Sequence, residues 1–364
     1  MTAPEVLIAR PTAGGVAHVG AKVVGEFRRQ GRDVLDVPLA ESAAPAWRGL
    51  LTGLRAAGRI RRAGVIHIEL GRITTGPFWF AVVAVSLRRD VVLVVHDAPT
   101  LVDAPGAAVV PARRGWRDAV AHKVFAPLLD RPVTLYVRRR AGVVAVLSEV
   151  AARQSSAAGF KRVERINHGA DPALPGPLPS TSRTVVFGGF LSPAKGLEDL
   201  LAAWEEAGSD HQLMIAGTAS RQHAEWVARL QRESAKFANP PRWLGYLGDQ
   251  EFAELIASAS VVVLPYRAAN PASGILVRAM VQGRAVLATR VPAMESLVTD
   301  GVTGCLVDVG DTGGLARELA NLLSDPTARD RLGAAAAEVA AVRHTWARQA
   351  SDLDRIYAVA GGTK

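Results

Sequence analysis

Residues 258–290, SASVVVLPYRAANPASGILVRAMVQGRAVLATR, constrain the fold of this chain more than any other stretch. Val261 to Pro265 is a short continuous apolar run, the pattern of a strand buried on both faces in a parallel sheet. A polar loop, Tyr266 to Ala272, follows it. Ser273-Gly274-Ile275 then opens a helix with Leu276, Met280 and Val281 on one face, and Gly283 stands where that helix stops. Ala285 to Thr289 is a second apolar run, so the stretch reads as a βαβ unit. Ligands of open α/β sheets bind at the carboxyl ends of the strands. A small-residue helix opening there offers backbone N–H groups and the positive end of the dipole to a phosphate. The same small residues also occur where a loop only has to turn.

The alternation continues in both directions. Towards the N-terminus, Val6 to Ala9 is a strand that runs into Gly14-Gly15 and a helix from Val16 to Arg29. This second small-residue opening lacks the full G-x-G-x-x-G spacing of a dinucleotide site. Strands are predicted at Val34 to Val37, Val65 to Ile68, Val91 to Val95, Val143 to Leu147 and Arg165 to Asn167. Helices are predicted at Trp47 to Arg61 and Phe78 to Leu87, with Ser148-Glu149 capping a further short one. Asp171 to Ser182, DPALPGPLPSTS, reads as a semi-rigid connector and a domain boundary. Beyond it the pattern restarts with strands at Val185 to Gly189, Leu213 to Ala216 and Trp243 to Leu247. Helices begin at Leu197 and span 220–235 and 250–258. Cys305 to Val307 is a last strand, and helices Thr312 to Leu323, Arg329 to Val342 and Thr345 to Ala358 close the chain. Strands alternating with helices in two similar halves predict an α/β protein with two Rossmann-like domains, 1–170 and 183–344, facing across a cleft.

Charge and composition narrow the function. With 43 Lys and Arg against 34 acidic residues, the net charge is +9, which points to anionic partners. Aromatic residues are 5% of the chain, too sparse for a stacking platform on single-stranded nucleic acid, and no nucleic-acid module is recognisable. The single cysteine, Cys305, excludes an intramolecular disulfide and fits a reducing, cytoplasmic setting. Met1 to Glu5 has no charged leader, and the apolar stretch Ile73 to Leu87 is too short for a bilayer. No cluster has metal-ligand spacing, so neither metal nor cofactor is expected. The Asp352 and Asp354 pair falls inside a helix, two residues apart, and reads as solvated charge.

Candidate residues follow from position, each with a plainer alternative. His96 ends the strand Val91 to Val95, where parallel sheets carry their chemistry; a lone histidine also serves as a local hydrogen-bonding group. Lys195 precedes a helix-opening glycine and suits a phosphate, or is simply an exposed charge. Glu295 begins a short helix, as a dipole-favoured acid or as an acceptor for a sugar hydroxyl. His168 reads as structural. The basic region 113–140, with Arg113, Arg114, Arg117, Lys123, Arg131, Arg138, Arg139 and Arg140, is a solvated helical face or a surface for anionic lipid.

Taken in order, Phe187-Gly188-Gly189 with Lys195-Gly196, Met214-Ile215-Ala216-Gly217, Trp243 to Leu247, Val261 to Thr289, and Pro292 to Glu295 with DGVTGCLV resemble the GT-B glycosyltransferases of the retaining family 4 type. Gly14-Gly15, the VVHDAP strand end and INHGAD extend the likeness over nearly the whole chain. The resemblance implies that the second domain binds a nucleotide-diphosphate sugar. The diphosphate would lie against Lys195, Gly189 and the N–H groups of Ser273, Gly274 and Ile275, and the base near Gly217, Tyr246 and Leu247. Gly14 and Gly15 would approach the diphosphate from the first domain, and His96 would stand near the donor sugar. The acceptor, a glycan, lipid-linked or small molecule, would bind the first domain. The last helix, from about Thr345, would pack back onto it.

Two departures bear on that reading. The family usually carries two glutamates eight residues apart at the phosphate turn; this chain has Asn270 and Arg278. Asn270 can still bond a sugar hydroxyl, whereas the donor-only guanidinium of Arg278 cannot accept a hydrogen bond. Phe190 stands where the family often has arginine, and Arg267 or Arg278 is a candidate to supply the missing charge. The expected function is therefore metal-independent, retaining glycosyl transfer. The alternative is a catalytically inactive GT-B accessory or binding protein. A nucleic-acid-binding protein, argued from charge alone, is the third reading.

Overall fold

The structure, a computed structural model, describes residues 5–39, 46–71, 74–102, 130–268 and 273–361. The chain divides into two units, Met1–Asn167 with Trp346–Lys364, and His168–Thr345. Each is built on a six-stranded sheet whose pairings are all parallel. The fold is α/β, of two Rossmann-like units.

In the first unit the strands are β1 (Val6–Pro11), β2 (Val34–Leu39), β3 (Val65–Leu70), β4 (Val91–Val95), β5 (Val143–Val146) and β6 (Val163–Arg165), in the order β2-β1-β3-β4-β5-β6. Strand β4, VVLVV, is buried throughout, as expected of a run that is apolar on both faces. Around the sheet lie α1 (Gly14–Arg29), α2 (Ala46–Arg55), α3 (Ala57–Arg62), α4 (Thr75–Leu87), a helix over 130–140 (α5) and α6 (Glu149–Ala157). The single helix expected from Trp47 to Arg61 is broken at Ala56 into α2 and α3. Helix α4 carries almost no polar residues and is buried nearly all round, and Gly49 and Gly53 of α2 let that helix pack closely on its Gly76 and Val83.

In the second unit, β7 (Thr184–Gly188), β8 (Gln212–Ala216), β9 (Arg242–Gly245), β10 (Val261–Leu264), β11 (Ala285–Thr289) and β12 (Cys305–Val307) lie in the order β12-β11-β10-β7-β8-β9. Read from the other edge this is the 3-2-1-4-5-6 order of nucleotide-binding sheets, with its switch point between β7 and β10. The helices are α7 (Leu197–Ala207), α8 (Ala224–Ser234), α9 (Asp249–Ala257), α10 (Gly274–Val281), α11 (Pro292–Glu295), α12 (Thr312–Ser324) and α13 (Pro326–Arg343). The helix expected over 220–235 begins with a 3₁₀ turn, Arg221–His223, before α8.

The boundary differs from the expected 170/171 break and its connector. The stretch 171–182 belongs to the second unit because two buried guanidinium groups hold its carbonyls. Arg284 donates to Pro177 O and to Ala257 O and Ala259 O, while Arg329 donates to Pro179 O, Ser180 O, Leu322 O and Leu323 O. The chain's entry and exit points are tied within this unit: Ala170 N donates to His344 O at 3.0 Å, and Ala170 pairs with Thr345.

The last helix, α14 (Trp346–Gly361), belongs to the first unit. Two sequence expectations are corrected around it. Strand β6 ends at Arg165, not Asn167, because Asn167 turns its backbone N–H and side-chain amide onto Asp352, at 3.1 and 2.7 Å. Asp352 is thus buried, not solvated; burial resists its ionisation, but the Asn167 bonds and Arg355 outweigh that and lower its pKa. Asp354, on another face of the helix, pairs with Arg32 at 2.8 Å.

Candidate functional site

In the second unit, the loops that leave β7 and β10 meet at the switch point. The N–H of Arg267 donates to Ala194 O at 2.9 Å. Gly196, in the left-handed region at φ 65°, packs so closely on Pro265 O that a Cβ would overlap it. Between these strands, Lys195 is half-buried, and its ammonium lies 3.6 Å from the ring centroid of Tyr266, which is fully buried. The side chain therefore stands over an aromatic face, where a cation is held by the ring quadrupole. Gly189, at the end of β7, lies against Ile275, whose Cδ1 is 2.8 Å from where a Gly189 Cβ would stand. That contact brings the β7 end to the first turn of α10.

Helix α10 begins as expected. Ser273 is its N-cap, and its hydroxyl accepts from Leu276 N. Gly274 and Ile275 form the first turn, and the imidazole of His168 lies beside Gly274. His168, read as structural, thus reaches the same helix opening, while its Nδ1 lies 2.6 Å from Gly169 O. Gly217 closes the β8 edge: its φ is 138°, its N–H donates to Gly245 O at 2.7 Å, and a Cβ there would overlap Gly189 O. Strand β9 ends at Gly245, before the expected Leu247, leaving Tyr246 77% exposed and Leu247 half-buried beside that glycine pair. Glu295, the last residue of α11, is exposed. Asn270 lies outside the described residues, and so do residues 113–129 of the basic region.

The arginines considered as substitutes for missing charge are otherwise engaged. Arg267 grips Asp199 with two bonds, 2.8 and 2.7 Å, and also reaches Glu198. The hydrogen bond to Asp199 is the main reason its pKa rises. Arg278 donates to Asp249 at 2.6 Å. Phe190 is 56% exposed. In the basic region, Arg138 donates to Pro99 O and Ala158 O, and Arg140 to Val85 O and Ser86 O, so neither is the solvated charge that was expected; Arg131 and Arg139 are exposed.

In the first unit, Gly14 and Gly15 form the exposed first turn of α1, after β1. His96 follows β4, and its N–H bonds Leu70 O at 2.8 Å. Its side chain joins a group that the sequence reading missed. Glu69 is fully buried; its Oε2 lies 2.6 Å from His96 Nε2 and its Oε1 3.0 Å from His67 Nε2. His67 Nδ1 lies 2.6 Å from the hydroxyl of Tyr357 on α14. Burial would raise the Glu69 pKa, but the two histidines more than offset it and hold the carboxyl at about 2. Burial, then the Glu69 charge, pushes the Tyr357 phenol well above its ordinary range. The available signal was VIHIEL: two ionisable residues two apart share a strand face, in a run that burial otherwise makes apolar.

Two parallel Rossmann-like sheets, one with a phosphate-type helix opening at its switch point, are the architecture of the GT-B glycosyltransferases. The comparisons agree. Residues 182–325 match the family described as glycosyl transferases group 1. A phosphatidyl-myo-inositol mannosyltransferase of Mycolicibacterium smegmatis is 31% identical over 71% of this chain and 67% of its own. One from Mycobacterium leprae is 33% identical over 51% of this chain and 49% of its own, so the chain's match spans about half of that relative. The crystal structure of Anabaena HepE in complex with UDP superposes with a TM-score of 0.72 at 16% identity, covering 97% of this chain and 99% of that one. The chain belongs to the group 1 glycosyltransferases.

Proposed function

We propose that this protein is a retaining glycosyltransferase that takes its sugar from a nucleoside-diphosphate donor. The observation that carries the reading is the convergence of the β7 and β10 loops, which sets the Lys195 ammonium over Tyr266, while the end of β7 at Gly189 meets the capped opening of α10 at Ile275. Bond cleavage at the anomeric carbon places negative charge on the departing diphosphate. A fixed ammonium and preorganised N–H dipoles stabilise that charge without reorganising, so no metal is required in this scheme. The C–O bond to the diphosphate breaks, the acceptor oxygen bonds the same face of the sugar, and the acceptor proton passes to a diphosphate oxygen. Gly189 and Gly217 leave the backbone open to the donor, and Tyr246, Leu247 and Glu295 are assigned to its base and sugar hydroxyls. The donor roles that the family resemblance gives His96, Gly14 and Gly15 of the first unit are kept in this proposal.

The names of the reported relatives support a phosphatidyl-myo-inositol acceptor, the lipid-linked case. Among the described residues no helix is long and apolar enough to cross a membrane. A lipid-linked acceptor would then be met at the bilayer surface, with the exposed Arg131 and Arg139 of the basic region facing anionic headgroups. Sedimentation with anionic vesicles at low and high salt tests this last point; absence of binding at low salt removes it.

The deciding experiment is a thermal-shift panel of UDP, GDP, ADP and TDP. A ligand at one hundred times its dissociation constant stabilises the folded state by about 2.7 kcal/mol, a shift of several degrees for a chain of this size. One nucleotide should produce it, and its sugar conjugate should then be turned over with retention of anomeric configuration, read by NMR of the product. No shift at millimolar nucleotide would refute the donor site and favour the accessory-protein reading.

A further inference from the structure

We propose that Glu69 is a positioning residue for His96, fixing the imidazole with a proton on Nε2 and leaving Nδ1 as its unprotonated nitrogen. The proposal deepens the functional reading above, because it matters to catalysis only if His96 meets the substrate.

The argument is one of hydrogen-bond inventory. An ionised carboxylate accepts and cannot donate, so a ring nitrogen 2.6 Å from Glu69 Oε2 has to carry a hydrogen. Glu69 is fully buried with a ring nitrogen on each carboxylate oxygen, at 2.6 and 3.0 Å, so both oxygens have to accept. In a neutral imidazole the nitrogen that bonds the carboxylate keeps the proton and the other becomes the acceptor. Among the described residues Nδ1 of His96 has no hydrogen-bond partner, so no competing group sets the tautomer.

Glu69 is itself held from behind. Its second oxygen bonds His67 Nε2, and His67 Nδ1 meets the Tyr357 hydroxyl. His67 and Tyr357 are both buried, and the ring of Tyr357 also packs against Phe27 of α1. The row Tyr357, His67, Glu69, His96 therefore runs from the closing helix α14 through β3 to the end of β4. The closing helix thereby supports the site from a distance, since its Tyr357 anchors the side chain that orients the carboxylate.

The experiment uses the full chain labelled with ¹⁵N-histidine. Long-range ¹H–¹⁵N spectra at neutral pH report the tautomer of each ring, and His96→Gln identifies the His96 signals. Wild-type His96 should appear with its proton on Nε2. Glu69→Gln keeps the shape but presents an amide that can donate as well as accept, so the His96 tautomers should become mixed. With UDP-glucose or GDP-mannose, whichever the protein turns over, kcat should fall about 10- to 100-fold, as it does when the outer partner of a metal-bound histidine is removed, with KM changed less than about threefold. Tyr357→Phe should leave the His96 tautomer in place and lower kcat less than Glu69→Gln does. A wild-type His96 protonated on Nδ1 overturns the proposal, even if Glu69→Gln does not fold. So does a folded Glu69→Gln with unchanged spectra. The spectra need no turnover: a tautomer that obeys Glu69 in a protein that binds none of UDP, GDP, ADP and TDP would sink the functional reading and leave the positioning role standing.

Discussion

Lys195→Ala separates a working donor site from a decorative one. The ammonium is half-buried, 3.6 Å from the centroid of Tyr266, at the switch point of the second sheet. A unit charge about 4 Å from a phosphate oxygen interacts by about 4 kcal/mol at an effective dielectric of 20. Partial exposure lowers this, and charged hydrogen bonds lost by mutation cost roughly 1.5–3 kcal/mol. The middle of that range, about 2 kcal/mol, is a nearly 30-fold loss of affinity. Without ligand, the substitution removes only a partly exposed cation–π contact, about 0.5–1 kcal/mol. Titration calorimetry with the best-binding nucleoside diphosphate should therefore show a Kd raised by ten- to a hundredfold, while the urea midpoint barely moves. Wild-type binding should weaken with added salt, because part of it is between solvent-accessible charges. A folded Lys195→Ala protein that binds within twofold of wild type would refute the assignment of Lys195 to the diphosphate.

Four further outcomes are expected. Arg329→Met should destabilise the second unit by about 2–4 kcal/mol in denaturant melts, because the buried carbonyls of Pro179, Leu322 and Leu323 and the part-buried one of Ser180 lose their donor; a change under about 1 kcal/mol would deny that anchor. The Glu69 carboxyl is lowered from 4.5 to about 2 on folding, so its stabilisation is complete above pH 4.5 and is lost as pH falls towards 2. Glu69→Gln should flatten that part of the acid-unfolding curve, and an unchanged slope would contradict it. Cys305 is buried, and burial, followed by the neighbouring Glu318, pushes its thiol up to about 12; a disulfide reagent at pH 8 should label it only after denaturation, so labelling of the native protein within minutes is the adverse result. Arg278→Ala should change nucleotide affinity by less than threefold, since the guanidinium is engaged by Asp249; a tenfold loss would show that it swings to the donor.

Much of the fold was legible because parallel strands buried on both faces must be written as continuous apolar runs. Val91 to Val95, Val261 to Leu264 and Ala285 to Thr289 are such runs, and each is a strand. The Ser273 cap and Gly283 were legible for the same local reason: a helix opening needs a side-chain acceptor, and its end a residue that tolerates φ of 62°. What escaped depended on distant partners. Asp352 looked like solvent-facing charge because nothing local reveals Asn167, 185 positions away, as its donor. Glu69 was hidden similarly, since a carboxylate can enter a buried strand only if donors arrive from elsewhere, here from His67 and His96. The proline-rich stretch 171–182 read as a connector because its composition is that of one; its place in the second unit is decided by Arg284 and Arg329, more than a hundred residues later.

The departures at the phosphate turn take on a different meaning once the ion pairs are known. An arginine where the family has glutamate suggests a reversed charge and hence an altered or lost donor site. Yet Arg278 is compensated by Asp249, brought from the start of α9. Arg267, the other candidate cation, answers to both Asp199 and Glu198 from the start of α7. Moving either arginine onto a phosphate would leave its carboxylates behind, so the exchange returns only the difference between two ion pairs. The local charge at the switch point is thus not reversed by the substitution. The remaining positive features there are Lys195, from the loop after β7, and the backbone dipoles at the opening of α10. Loss of a family carboxylate at position 278 is consequently weak ground for inferring loss of catalysis, and the balance of the site rests on the ammonium over Tyr266.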